Sequence, residues 1–84
     1  DLEPSDEWKQ RLKGKIEQER LAMEADANRQ LEEDIRSVPH QRDTILREHT
    51  KALQNIRVLA EDKYRTQLEQ ERQDRKWAAQ ISMD

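Results

Sequence analysis

A single stripe of apolar side chains at helical spacing runs through a chain otherwise crowded with charge. Trp8, Leu12, Ile16, Met23, Ala27, Leu31, Ile35, Val38, Leu46, Leu53, Ile56, Ala60, Tyr64 and Leu68 follow one another by steps of three, four and their sums. Such steps place side chains along one side of an α-helix. A stripe of that kind leaves water only by packing on another helix. The fold class that follows is all-α, an elongated coiled coil. Its helix–helix seam is expected at Leu12, Ile16, Met23, Leu31, Ile35, Val38, Leu46, Leu53, Ile56, Tyr64 and Leu68.

Composition agrees with an elongated shape. Of 84 residues, 42% are charged and 32% hydrophobic, with one Gly and no Phe. That supplies one seam and not the thick core of a globule, which is marginal in chains of this size. Acids and bases nearly cancel, to a net charge of −3. The near-cancellation, together with the period of Leu and Ile, argues against intrinsic disorder. The absence of cysteine fits a reducing compartment, and cytoplasmic residence is expected, with the nucleus as the alternative. No stretch approaches the roughly 20 apolar residues of a membrane span. No signal-peptide pattern is visible and the chain starts at Asp1, so a segment of a larger intracellular protein is expected.

Local signals divide the chain into a lead-in at 1–5, a first helical segment at 6–37, a second at 38–80 and a tail at 81–84. Ser5 is placed to cap the first helix, with Asp6 and Glu7 in its positive first turn. Gly14 weakens that helix by about 1 kcal/mol relative to Ala. Acid-to-base pairs four apart, Glu7–Arg11, Glu32–Arg36, Asp43–Arg47, Glu61–Arg65 and Glu71–Arg75, support helix. The break falls at Ser37-Val38-Pro39. Proline is costly inside a helix but tolerated in a first turn, so Ser37 could cap a new helix there. No Gly or Asn follows the first helix to supply a left-handed cap.

Three arrangements bury the stripe. A hairpin turning near Pro39 sets Ile16 opposite Tyr64, Met23 opposite Ile56, Leu31 opposite His49, and Leu12 beside Leu68. Alternatively, kinked helices pair in parallel as a homodimer. In a third arrangement they pair antiparallel about Arg42, bringing Trp8 toward Trp77 of the second copy. The missing left-handed cap places the two-chain forms slightly ahead of the hairpin. Including polar positions, the stripe advances about 3.75 residues per step, above the 3.5 of a left-handed heptad coil. A second, heptad register runs through Ile35, Val38, Ile45, Ala52, Ile56 and Leu59, forcing Arg42, His49 and Lys63 into the seam. Two registers in one region indicate a wide apolar face that touches more than one helix. Beyond Leu68 the residues to Lys76 carry no apolar side chain, and Trp77, Ala78, Ala79, Ile81 and Met83 then form a terminal apolar cluster.

Nothing points to catalysis, which needs an enclosed site with tuned groups, and no enzyme activity or cofactor is expected. His40 and His49 stand nine apart with no cysteine, which disfavours a metal site. Lys9, Arg11, Lys13 and Lys15 beside Trp8, Leu12 and Ile16 resemble membrane-surface or calmodulin-type helices, but Glu17 and Glu19 follow and Gly14 interrupts. Interleaved acids disfavour nucleic acid, and no small-molecule ligand is expected. The composition resembles coiled-coil regions of cytoskeletal, centrosomal and membrane-trafficking scaffolds. The function expected is oligomerisation and scaffolding through a helical partner, first of all a second copy in a homodimer. A continuous helix would hold flanking parts about 110 Å apart at 1.5 Å per residue. The alternative is a hairpin docking onto a folded regulatory partner such as a small GTPase or motor adaptor. Trp8 and Trp77 are the candidate partner contacts, because Trp is enriched in binding hot spots.

Overall fold

The computed structural model describes residues 2–83 and the side chains of residues 2–82. The ends of the expected lead-in and tail at Asp1 and Asp84, and the Met83 side chain of the terminal cluster, lie outside the described residues. The chain is an antiparallel helical hairpin: α1 (Asp6–Ser37), a single 3-10 turn (Pro39–Gln41) and α2 (Arg42–Met83). It measures 68 × 18 × 14 Å. The 42 residues of α2 account for most of that length, about 63 Å at 1.5 Å per residue. A continuous rod of about 110 Å does not form, because the chain folds back on itself.

Helix α1 begins as its sequence dictates. The Ser5 hydroxyl accepts from the Trp8 backbone N–H at 3.1 Å, and Asp6 and Glu7 occupy the first turn. Helix α1 ends because proline bars the residue before it from helical backbone. Val38 accordingly takes φ −135°, ψ 70°, while its N–H still donates to the Asp34 carbonyl at 2.9 Å. Pro39 opens the next turn, where no N–H is needed, and the Gln41 N–H donates to the Val38 carbonyl at 3.0 Å. Val38, and not Ser37, is therefore the residue that precedes the new turn, and it contributes no side-chain cap. Among the described residues none has a positive φ. One extended residue and one proline reverse the chain without the left-handed cap whose absence weighed against a hairpin. Helix α2 then continues through Ile81 to Met83.

The register of the hairpin is the one the stripe implies. Ile16 and Tyr64 line one groove between the helices, Met23 and Ile56 another, and Leu31 and His49 a third. Polar contacts repeat the pattern. His49 Nε2 donates to Asn28 Oδ1 at 2.8 Å, Lys63 pairs with Glu19, and Arg57 approaches Glu24 at 3.7 Å. Lys13 lies over the Tyr64 ring, 5.4 Å from its centroid, within cation–π range. At the open end Arg72 grips Glu3 through two hydrogen bonds of 2.7 and 2.9 Å, drawing the lead-in and buried Pro4 along α2.

Candidate functional site: the open sides of the helix pair

Two helices cannot enclose the side chains that lie between them. Leu12, Ile16 and Ile56 are the buried apolar core among the described residues, and none is fully sealed from solvent. Leu31, Ile35, Val38, Leu46, Leu53, Tyr64 and Leu68 are half-buried. Met23 reaches the seam only with its edge and stays 44% exposed. Of the two tryptophans, Trp8 is half-buried on α1, whereas Trp77 is 65% exposed. It sits where α2 projects past the Glu3–Arg72 pair, a projection of about 16 Å at 1.5 Å per residue.

The helix pair has two sides, and they differ in chemistry. Successive residues turn by about 100° on a helix, so Glu17 and Glu19, like Tyr64 and Lys63, flank the seam from opposite sides. On the side of Glu17 and Tyr64 lies a groove of about 850 Å³, floored by Ile16, Ala60, Tyr64 and Leu68 and walled by Lys13, Glu17, Arg20, Arg57, Glu61 and Arg65. Its walls are tied to one another. Arg20 donates to Glu17 at 3.0 Å and to Glu24 at 2.7 Å, so both of its neighbouring acids are engaged. The hydrogen bond from Arg20 holds the Glu17 carboxyl below its ordinary range, and that from Lys63 does the same for Glu19.

The other side is less charged at its centre. Met23, Leu59 and Lys63 edge a groove floored by Ile16 and Ile56. Toward the turn it continues past Ile45, Ala52 and Leu31, with Asp34 and Glu48 at its margin. Leu59 is 57% exposed. It belongs to the heptad register drawn from the sequence but not to the expected seam. The spacing of Ile45, Ala52 and Leu59 by sevens was the signal that these residues share a line; that the line lies outside the hairpin contact follows only from the register. Leu21 and Val58, both also exposed, stand on the backs of the two helices, opposite the seam.

The expected charge ladder is realised with different partners. Arg75 pairs with Glu71 at 3.8 Å as the spacing of four implies. Arg65 takes Asp62 at 3.3 Å, three residues back, and Arg47 donates to Thr44 at 3.4 Å. Among the described residues no cluster of three His, Cys, Asp or Glu side chains is placed to hold a metal ion, and no helix is long and apolar enough to cross a membrane. No known protein family, curated protein or solved structure matches this chain.

Proposed function

We propose that the chain is a non-enzymatic helical interaction module: a hairpin that completes its core by packing against further helices, and through them assembles and spaces the larger intracellular protein to which it belongs. One observation carries this reading. Among the described residues the buried core between the helices is Leu12, Ile16 and Ile56, while Met23, Leu59, Trp77 and Ile81 remain between 44% and 65% exposed. A two-helix unit with so little enclosed surface is marginal by itself. Met23 and Leu59 meet across one groove, Trp77 and Ile81 stand one turn apart, and large apolar side chains left exposed in groups mark an interaction surface.

Urea unfolding followed by circular dichroism at submicromolar concentration tests it. The reading expects an unfolding free energy below about 5 kcal/mol for the isolated hairpin. A partner-free chain well above that value at the same dilution would be a self-sufficient unit, and the reading would fall.

The groove of about 850 Å³ beside Tyr64 favours a second reading, a hairpin docking onto a folded partner. Its apolar floor between charged walls has the build of a peptide-binding cleft. Its arginines are already shared with Glu17, Glu24 and Asp62 and its Lys13 lies over Tyr64, which places it behind the first.

A further inference from the structure

We propose that the lead-in is a latch on the open end of the hairpin. Glu3 supplies the acid that the last cross-helix rung lacks. When Glu3 leaves, Lys9 and Arg72 repel each other and the ends of α1 and α2 part.

The register of the hairpin creates the need for it. Nearer the turn that register brings acid to base, Glu24 to Arg57 at 3.7 Å and Glu19 to Lys63. Carried on to the open end, the same offset sets Lys9 opposite Arg72, base to base. Glu3 reaches both. Its Oε1 lies 2.8 Å from Lys9 Nζ and 2.7 Å from Arg72 Nη2, and its Oε2 accepts from Arg72 Nε at 2.9 Å. Because both cations meet at one oxygen, they stand no more than about 5.5 Å apart, and they repel wherever no anion lies between them. Glu69 approaches Arg72 from α2 itself, at 3.8 Å on Nη1.

The latch is held lightly enough to release. Helix α1 is already capped by the Ser5 hydroxyl, so the residues before Ser5 are not needed to start it. Pro4 is buried, but Leu2 is 43% exposed. The side chains of Lys9, Arg72 and Glu3 keep between 25% and 40% of their surface in water, and ion pairs so placed are weak. What the latch guards is Leu12, three residues beyond Lys9 and the buried core residue nearest the open end. Trp8, half-buried, lies beside it on the same helix. Release decides when these two apolar side chains become available.

Amide hydrogen exchange of the full chain, followed by NMR, tests the latch at Leu12 and Leu68 against Leu31 and Leu53 in the turn half. Glu3→Gln should speed exchange at the open end about threefold or more, the effect of two like charges about 5.5 Å apart in a watery dielectric. The turn half should be unchanged. Combining Glu3→Gln with Arg72→Gln should recover part of the lost protection, since the repulsion is then gone. Salt should act with opposite signs. Raising sodium chloride from tens to several hundred millimolar should speed open-end exchange in the unsubstituted chain, by weakening the ion pair. In Glu3→Gln it should slow exchange, by screening the two cations from each other. Unchanged exchange in Glu3→Gln, equal speeding in both halves, no recovery with Arg72→Gln, or salt effects of one sign would each overturn the proposal.

Discussion

At the scale of single residues, stability concentrates at three positions. Ile16 and Ile56 are 6% and 8% exposed, and cutting either to Ala should cost about 2–5 kcal/mol, enough to melt a marginal hairpin as followed by circular dichroism. Leu53 belongs to the same stripe but is half-buried, so less contact is lost when it is truncated. Leu53→Ala should stay below about 2 kcal/mol. Gly14 has the opposite sign. A Cβ added there meets nothing within 4 Å, so Gly14→Ala should stabilise by about 0.5–1 kcal/mol in urea titrations. Glu3 gives a pH dependence. Hydrogen bonds from Arg72 and then Lys9 pull its carboxyl from 4.5 down to about 2. A carboxyl depressed on folding stabilises the fold above its unfolded value and loses that contribution as pH falls toward its folded one. Docking of the lead-in on α2 should therefore be complete above pH 4.5 and released between 4.5 and about 2. A carboxylate titration by NMR in the folded chain that gives an ordinary value for Glu3 would contradict it.

At the scale of elements, the decisive event is one reversal. Val38 is extended and Pro39 begins a new turn, so α1 cannot run on into α2. Pro39→Ala removes the ring that excludes Val38 from helical backbone. Part of the population should then straighten into long helices that pair between chains. X-ray scattering should report a radius of gyration well above 19.3 Å, and an unchanged profile would show that the reversal does not depend on proline. Much of this level was legible beforehand. The helix start at Ser5 and the break at Pro39 follow from local chemistry, and the pairing of Ile16 with Tyr64 follows from the period once the chain turns at Pro39. The choice of a hairpin was not legible, because a left-handed Gly or Asn is a common mark of a helix end, and this reversal uses the pre-proline restriction instead. Nor could the period say which stripe residues would be enclosed. Leu12 and Met23 carry the same spacing signal, yet only the register between helices sends one inward and leaves the other at the rim.

At the scale of the whole molecule, folding back changes what a scaffold of this sequence can do. A straight rod separates what is attached to its two ends, whereas the hairpin brings its lead-in beside Arg72 and sends both ends out on the same side of the turn. All of this depends on α1 folding onto α2 of its own chain. The most direct measurement places spin labels at Gln10→Cys and Gln70→Cys, with the labelled chain diluted into excess unlabelled chain. Helix axes 8–10 Å apart predict one narrow separation within about 25 Å once label lengths are included. A distance near 90 Å, the span of sixty residues in one continuous helix, would contradict the hairpin.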